Sequence, residues 1–359
     1  MKTVKKVIFA LPNMSSGGAE RVVSILANNL VKRGVKVEIW LYYGLTLHYQ
    51  LDKLVQVDYL DLENFSIRKR IAILHSKLKQ VKQKERDIVF IPFLGAILNI
   101  SVVANLGTGI PLVACERNNP YIHGTTLLQK IKAQIPFLMA THCVFQTPDA
   151  RDYYSLVSSH RCSVIINPIT QSSYNWKGVL SPSRLISVCR LHKQKNLPMT
   201  FDVVELLKQK IPDLHIDIYG DGDLKYAIED EIDKRGLAHN VSLMGVTKNV
   251  PFVLSNASVF ISTSDFEGIS NSMLEAMSVG MPLLCTDCPI GGARLMLKDG
   301  AGILSPIKDA ELFANSLEEL LSNHKKATEL GAKAKLVAQQ FTDEKITNIW
   351  LTLFNKLIQ

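Results

Sequence analysis

Two carboxylates eight residues apart, Glu267 and Glu275, mark the most informative stretch of the sequence, Asp265-Phe266-Glu267-Gly268-Ile269-Ser270-Asn271-Ser272-Met273-Leu274-Glu275-Ala276-Met277. Ser270 or Asn271 can cap a helix that carries an apolar stripe around Glu275. This spacing is a little over two helical turns, so both carboxylates can lie on one side of a helix that begins near Ser270. The free N–H groups at such a helix start suit a phosphate or a sugar. On spacing alone, a capped core helix with two solvated acids is the favoured interpretation.

The chain length of 359 residues predicts two domains, since single hydrophobic cores rarely grow beyond about 250–300 residues. Apolar strand-like runs alternate with helical segments, which predicts parallel sheets. The predicted strands are Val7–Leu11, Val37–Leu41, Ile88–Phe93, Leu112–Cys115, Cys143–Gln146, Leu185–Cys189, His215–Tyr219, Val241–Met244, Val259–Thr263 and Leu283–Thr286.

We therefore expect an α/β fold with two Rossmann-like parallel-sheet domains, residues 1–168 and 169–341, that face one another across a cleft. The amphipathic segment 342–359 is expected to form a C-terminal helix that crosses back to the first domain.

Several classes of protein are disfavoured by composition. The six cysteines are scattered and no signal peptide is visible, so we expect reduced thiols and no disulfide framework. Cys285 and Cys288 form a lone CxxC pair without the second pair that a structural zinc site needs, and no metal is expected there. The uncharged run from Ile88 to Cys115 is interrupted by proline, glycine and asparagine, which favours buried strands and a buried helix over a membrane span.

Positive charge is concentrated in the first half of the chain. Residues 1–168 carry 21 basic and 11 acidic side chains, a net charge of +10, within a chain whose total is +8. Much of this excess lies in 67–86, where apolar residues follow helical spacing and predict a basic amphipathic helix. This helix could contact an anionic membrane surface, or its lysine face could simply be solvated. We expect no nucleic-acid partner, since no recognised binding motif accompanies the charge.

Small, cationic or carboxylate residues follow the predicted strands. Gly17-Gly18-Ala19-Glu20 opens the first helix, where two glycines allow close approach of a phosphate or another polar ligand, although a plain turn is the alternative. It is not the GxGxxG dinucleotide pattern. Arg190 and Lys195 follow the first strand of the second domain and could bind a pyrophosphate, although on its own this segment could equally be a solvated basic loop. Gly220-Asp221-Gly222 and Gly245-Val246 end the next two strands, and their order suits one nucleotide-sugar.

Taken together, these motifs resemble family 4 (group 1) retaining glycosyltransferases of the GT-B type, in particular bacterial enzymes that build polysaccharides and lipid-linked oligosaccharides. The resemblance covers essentially the full length. Its most specific part is the Glu267–Glu275 block followed by the small-residue turn Gly280-Met281-Pro282. Asn167-Pro168 at the predicted linker contributes to it as well.

The resemblance implies a role for each matching position. Arg190 and Lys195 would hold the donor diphosphate and stabilise it as a leaving group, Glu267 would lie beside the transferred sugar, and Glu275 would bind the ribose hydroxyls. The remaining implied donor-binding residues are Gly17, Gly18, Gly220, Gly245, Val246, Gly268, Ile269 and Ser270. No metal is implied, because the two cations replace it.

On the acceptor side, Cys115-Glu116-Arg117-Asn118-Asn119-Pro120 resembles the Ser-Glu-Arg-Asn-Asp-Pro stretch of enzymes that extend lipid-linked oligosaccharides. This resemblance assigns Arg117 to the acceptor side, and His123 with it, although His123 could equally be a loop histidine without a role.

The sequence departs from the family pattern at a few positions. Cys189 replaces a glycine before Arg190, and Ile269-Ser270 replaces the usual Phe-Gly or Phe-Pro. In the segment Ile290–Leu295, Ala and Leu stand where the family often has Pro and Glu. These departures leave the identity of the donor sugar open.

The resemblance implies a cytoplasmic enzyme, peripheral at the inner membrane, that moves a hexose or N-acetylhexosamine from a nucleotide-sugar to a lipid-linked glycan. UDP is the expected nucleotide, and O-antigen or capsule the expected polysaccharide. A nucleotide-sugar epimerase of the same fold and a non-catalytic subunit that binds sugar nucleotides are the alternatives.

Overall fold

The computed structural model describes residues 2–123, 126–178 and 184–359. The chain forms two compact units, one made of residues 1–168 with 343–359 and the other of residues 169–342. Each unit is built on parallel strands with helices between them. The expected parallel-sheet α/β class is confirmed.

The first unit contains two sheets whose strand orders are β3-β2-β1-β4 and β5-β6-β7, with a bridge between Phe90 and Leu112 where they meet. Its elements in chain order are β1 (Lys6–Leu11), α1 (Gly18–Val31), β2 (Lys36–Leu41), β3 (Gln56–Tyr59), α2 (Ile67–Lys84), β4 (Ile88–Pro92), α3 (Gly95–Asn105), β5 (Val113–Cys115), α4 (Leu127–Met139), β6 (His142–Phe145), α5 (Pro148–Tyr153) and β7 (Cys162–Val164). The strands β1 and β4 are almost completely buried, as expected for a sheet covered on both faces.

The second unit contains one parallel sheet with the order β10-β9-β8-β11-β12-β13. Its elements are β8 (Arg184–Val188), α6 (Leu197–Leu207), β9 (His215–Tyr219), α7 (Lys225–Lys234), β10 (Val241–Gly245), α8 (Val250–Ser255), β11 (Val259–Ser262), α9 (Asn271–Val279), β12 (Leu283–Thr286), α10 (Gly292–Leu297), β13 (Ile303–Ser305), α11 (Ala310–Ser322) and α12 (His324–Ala338).

The strand order of this second sheet reverses between β8 and β11. The chain moves outward from β8 to β10, then returns to the other side of β8 and moves outward again to β13. The loops that leave β8 and β11 therefore diverge, and such a switch point opens a crevice at the carboxyl ends of the strands. This topology selects the place where ligand-binding residues are expected.

The C-terminal helix α13 (Asp343–Leu357) is part of the first unit and packs on α1. Its Asn355 side chain accepts a hydrogen bond from the Val4 amide at 2.8 Å. Trp350 is fully buried, with its ring centroid 6.3 Å from that of Phe93 and 5.6 Å from that of Phe354. An aromatic cluster therefore fastens this helix to the unit.

The basic helix α2 buries Leu74 and Leu78 and contacts α3. Two of its cations are held within the unit, since Arg70 donates to the carbonyls of Phe65 and Glu63 at 2.7 and 2.6 Å and Lys77 pairs with Asp58. Contact of this helix with a membrane stays a prediction. In the described ranges, no helix combines the length and apolar character needed to cross a bilayer.

Replacing Trp350 with alanine should weaken the first unit strongly. The change leaves a cavity beside Phe93 and Phe354, and such truncations cost about 3–5 kcal/mol of unfolding free energy. The matched control is Ile349→Ala, because this neighbouring side chain is 48% exposed. Urea unfolding of both variants measures the difference, and equal loss of stability would show that α13 is not fastened through Trp350.

Candidate functional site

The candidate site lies where β8 and β11 of the second unit end. Lys195 lies in the 3₁₀ turn Lys193–Lys195 that follows β8, and Glu267 lies in the loop that follows β11. Because these neighbouring parallel strands pair side by side, Val259 with Leu185, their carboxyl ends share one edge of the sheet. Residues 72 positions apart in sequence are thereby brought together.

Lys195 and Glu267 form an ion pair through Nζ and Oε2, with only 12% and 21% of their side chains exposed. Burial acts to lower the pKa of Lys195, but the neighbouring Glu267 carboxylate outweighs burial and raises the pKa. Lys195 is therefore a charged ammonium group at neutral pH. A buried cation held in a fixed position can bind the oxygens of a phosphate without first losing its own water shell.

Hydrogen bonds join the two loops that carry this pair. The Gln194 side chain donates to the carbonyl of Phe266 at 2.8 Å, and the Asp265 amide donates to the Gln194 carbonyl at 2.9 Å. Asn196, at a φ of +46°, donates from Nδ2 to Asp265 Oδ1 at 2.9 Å. These contacts fix the distance between the loops. The sequence patterns did not single out Gln194, Asn196 and Asp265 as supporting residues.

The side chain of Thr263 makes a second set of hydrogen bonds to the segment that carries Lys195. Thr263 donates from Oγ1 to the carbonyls of Lys195 and Asn196 at 3.0 and 3.1 Å, and it lies 2.8 Å from the Thr200 hydroxyl. Both threonines are buried. The 3₁₀ turn that ends at Asn196 is therefore joined to the end of β11 by side-chain hydrogen bonds, in addition to the pairing of β8 with β11.

The helix α9 begins directly after the Glu267 loop. Ser270 is its N-cap, with Oγ accepting a hydrogen bond from the Met273 amide, so the predicted helix start is confirmed. Glu267, Gly268 and Ser270 line a small pocket together with Ser262, Ser264, Met273, Cys285, Thr286, Cys288 and Ala293. The pocket combines a carboxylate, hydroxyl groups and a helix N-terminus, which is a surface suited to a sugar or a phosphate.

Two thiols border this pocket. Burial raises the pKa of Cys288 to about 12 and raises that of Cys285 further, so both are protonated at neutral pH.

A side chain on Gly292 would place its Cβ 1.7 Å from the Gly268 carbonyl oxygen. The start of α10 is thus packed directly against the Glu267 loop, a contact that requires glycine.

The glycine that follows β9 and the glycine that ends β10 lie together. The Gly220 amide donates to the Gly245 carbonyl at 2.8 Å, and Gly220 has a φ of +140°. A Cβ at Gly220 would lie 1.8 Å from the carbonyl oxygen of Cys189, the residue before Arg190. Gly220 therefore lets two strand ends approach closely. Val246 is exposed just beyond them.

Arg190, Ile269 and Glu275 complete the predicted positions in the second unit. Arg190 is exposed, and its charge acts to lower the pKa of Lys195, which places it in the same electrostatic environment. Ile269 is buried in the Glu267 loop. Glu275 is buried on α9 and lies outside the set of described residues that line the pocket.

The remaining predicted residues lie in the first unit. Gly17 is the N-cap of α1, whose first residue is Gly18, and its carbonyl accepts a hydrogen bond from the Tyr49 hydroxyl at 3.1 Å. A Cβ on Gly17 would lie 2.1 Å from a carboxylate oxygen of Glu20. Glu20 thus folds back over this helix start, and a side chain at position 17 would require the end of the flexible Glu20 side chain to move.

Arg117 follows β5 and is enclosed by aromatic rings, with its guanidinium carbon 4.4 Å from the Phe93 centroid and 5.6 Å from the Trp350 centroid. Nη1 donates to the Ile165 carbonyl at 3.3 Å, while Nε and Nη2 have no hydrogen-bond partner among the described residues. Burial lowers the pKa of Arg117. The side chain of His123, at the end of the turn Pro120–His123, lies outside the described part of the chain.

A family model and several known proteins are similar to this chain. The family model described as "Glycosyl transferases group 1" matches residues 177–337, which include β8 to α12 and the Lys195–Glu267 pair. An "Uncharacterized glycosyltransferase" of Haemophilus influenzae is 24% identical over 350 residues, covering 97% of this chain and 99% of that protein.

A relative with a named reaction covers the whole chain as well. The Campylobacter jejuni "GalNAc-alpha-(1->4)-GalNAc-alpha-(1->3)-diNAcBac-PP-undecaprenol alpha-1,4-N-acetyl-D-galactosaminyltransferase" is 26% identical over 358 residues, covering 97% of this chain and 98% of that enzyme. The crystal structure of Anabaena HepE in complex with UDP and glucose aligns with a TM-score of 0.80 at 17% identity, over 98% of both chains. The structural likeness confirms the expected GT-B fold.

Replacing Gly220 with alanine should destabilise the second unit. The new Cβ would collide with the Cys189 carbonyl at a φ that side-chain-bearing residues rarely adopt. The control is Gly236→Ala, at a φ of +61°, where an added Cβ would have no atom within 4 Å. Urea unfolding should show Gly220→Ala to be less stable than the control by roughly 2 kcal/mol or more, and equal stabilities would contradict the close approach.

Proposed function

We propose that this chain is a group 1 glycosyl transferase and, more closely, a retaining enzyme that moves a hexose or N-acetylhexosamine from a UDP-sugar to a lipid-linked glycan. The observation that carries the proposal is the partly buried Lys195–Glu267 pair at the switch point between β8 and β11. Its position is the one at which open parallel sheets bind nucleotides. The proposed transfer chemistry depends on the positive charge of Lys195 and the negative charge of Glu267 at this position.

In this proposal Lys195 and Arg190 bind the donor diphosphate. Breaking the bond between the sugar anomeric carbon and the phosphate oxygen leaves additional negative charge on the diphosphate, and two cations stabilise that charge. Glu267 keeps Lys195 protonated and oriented, because its carboxylate raises the lysine pKa. The Lys195 ammonium is thus in place before the bond breaks, which lowers the reorganisation required in the transition state.

The sugar and ribose are assigned to the two carboxylates. Glu267 and the backbone N–H groups of Gly268 to Ser270 lie at the start of α9 and would contact the transferred sugar. Glu275, on the same helix, would bind the ribose hydroxyls. Both carboxylates act as hydrogen-bond acceptors for hydroxyl groups, so neither has to serve as a general acid.

Substitution at the front face of the sugar accounts for retention. The acceptor hydroxyl oxygen bonds to the anomeric carbon from the side on which the phosphate oxygen leaves, through an oxocarbenium-like state. The departing phosphate oxygen takes the acceptor proton, so the products are the extended glycan and UDP. No protein nucleophile takes part in this scheme.

The nucleotide and the acceptor are supported by the relatives. Anabaena HepE was crystallised with UDP and glucose, and the Campylobacter enzyme acts on a glycan linked to undecaprenol through a diphosphate. We extend both features to this chain and assign it to the assembly of cell-surface polysaccharide such as O-antigen or capsule. Arg117 and His123 are the proposed acceptor-side residues.

A lipid-linked acceptor places the enzyme at a membrane. We propose a peripheral protein at the cytoplasmic face of the inner membrane. The cations of α2 that are not held within the unit, such as Lys79 and Lys84, would add electrostatic attraction to anionic headgroups.

Removing the Lys195 charge should abolish most transfer. In Lys195→Met the diphosphate loses a cation in a desolvated site, and kcat should fall about 10²–10³-fold. The matched control is Lys193→Met, which removes the same charge from an exposed side chain two residues away. Radiolabelled UDP-sugar incubated with lipid-linked acceptor measures both variants, after circular dichroism has shown that they fold.

Equal activity of the two lysine variants would contradict the site assignment. Turnover of donor without acceptor, with an isomeric nucleotide-sugar as product, would identify an epimerase instead. Binding of UDP without any turnover would identify a non-catalytic subunit.

The nucleotide preference can be measured by thermal shift. A ligand that binds only the folded state at about 100 times its dissociation constant adds about 2.7 kcal/mol of stability. UDP should therefore raise the melting temperature of the wild type more than GDP does, and Lys195→Met should lose most of the UDP shift. A larger shift with GDP would overturn the assignment of UDP.

A further inference from the structure

Helix α4 (Leu127–Met139) turns an apolar face toward solvent. The exposed side chains range from 38% for Leu138 to 75% for Leu127. The full set is Leu127, Leu128, Ile131, Ile135, Leu138 and Met139. At 100° per residue these positions occupy an arc of about 120°. A surface helix normally buries its apolar stripe, so this face is the reverse of the usual arrangement.

The opposite face of α4 is firmly packed. Pro136 and Phe137 are buried there, and the Phe137 ring lies 4.0 Å from that of Tyr154, centroid to centroid. Gln134, beside the Leu127 edge of the apolar face, is buried too and accepts a hydrogen bond from the Leu156 amide at 2.9 Å. Thr126 and Gln129 form a capping box at the start of the helix. The helix is therefore held in its orientation, and its apolar face is not the result of a helix lying loose on the surface.

Positive charge borders this face, and acidic residues are missing from the sequence around it. Lys132 continues the exposed arc on one side, and Lys130 lies on the other side. Arg161 donates from Nη2 to the carbonyls of Leu138, at 3.1 Å, and Ala140, which places a third cation at the end of the helix. No aspartate or glutamate occurs in the sequence between Glu116 and Asp149.

We propose that this face, the α4 face, inserts into the surface of an anionic lipid bilayer. An apolar stripe flanked by lysines is the pattern of helices that lie in the interface plane, where apolar side chains enter the acyl boundary and cations meet the headgroups. A twofold contact with a second copy fits less well, because it would bring two lysine-flanked rims of like charge together.

The neighbouring helices support a division of roles. Helix α3 contacts both α2 and α4, and Val103 on this helix and Leu106 directly after it are exposed. Helix α2 buries Leu74 and Leu78 and thus has no comparable apolar face in its described residues. The α4 face supplies insertion, while the remaining cations of α2 supply attraction at longer range.

The position of α4 connects this surface with the acceptor side of the proposed enzyme. Arg117, at the end of β5, precedes the helix by ten residues in the same unit. Insertion of the α4 face would hold that part of the first unit at the bilayer surface, where a lipid-linked acceptor resides. Membrane binding itself needs neither donor nor acceptor, so it can be tested independently of the proposed function.

The test is flotation with vesicles of phosphatidylethanolamine and phosphatidylglycerol. The double variant Ile131→Ser/Ile135→Ser should bind these vesicles with an affinity that is lower by roughly tenfold or more, because two inserted side chains lose their apolar surface. The control is Leu312→Ser/Leu336→Ser, which removes two similarly exposed leucines from the second unit and should bind like wild type. Equal binding of Ile131→Ser/Ile135→Ser and wild type would overturn the proposal.

Two further measurements separate the alternatives. Tryptophan fluorescence of Ile135→Trp should shift to shorter wavelength on vesicle binding and be quenched by brominated acyl chains, and an unchanged spectrum would contradict insertion. Sedimentation without lipid tests self-association. A wild-type dimer that Ile131→Ser/Ile135→Ser converts to a monomer, with vesicle binding retained, would assign the face to a second copy and overturn the proposal.

Charge is tested by Lys130→Gln/Lys132→Gln. Binding to the anionic vesicles should fall roughly tenfold, and binding to pure phosphatidylcholine should change little. A failed transfer assay with normal vesicle binding would remove the proposed function and leave the membrane surface standing. If the wild-type enzyme transferred sugar normally to a water-soluble acceptor but did not bind vesicles, the membrane proposal would be overturned and the proposed function would stand.

Discussion

The partly buried ion pair between Lys195 and Glu267 is the interaction on which the candidate site depends. Two charges in a partly desolvated place are stable only when they are paired and their surroundings are fixed. The surroundings are fixed by strand pairing between β8 and β11 and by the hydrogen bonds of Gln194. The sheet therefore does more than form a core, because its strand order brings together the cation and the carboxylate that the proposed chemistry uses.

Much of the fold could be predicted from the sequence. Buried strands such as His215–Tyr219 and Leu283–Thr286 agree with their predicted bounds, since an alternation of apolar and polar residues in the first and a short apolar run in the second are strong signals. The strands Gln56–Tyr59, Cys162–Val164 and Ile303–Ser305 were missed. They have three or four residues and are only partly buried, so they show too little periodicity to be recognised.

The site was less accessible to sequence reasoning. Because the ends of parallel strands share one edge of the sheet, Arg190, Lys195 and Glu267 are predicted to lie close together. The same rule does not predict which of these side chains form a pair. Asn196 gave one local signal, because asparagine tolerates the left-handed conformation it adopts beside Lys195. The outward apolar face of α4 was hidden for a different reason, since apolar periodicity shows that a stripe exists and not which way it faces.

The position of the bound diphosphate shows whether Lys195 binds the donor or only pairs with Glu267. The most direct measurement is therefore a crystal structure of the chain with UDP bound. Our central claim predicts phosphate oxygens within hydrogen-bonding distance, about 2.7–2.9 Å, of the Lys195 ammonium, with the pocket beside Glu267 left for the sugar. A diphosphate bound away from Lys195, with the Lys195–Glu267 pair making no contact to it, would contradict the claim.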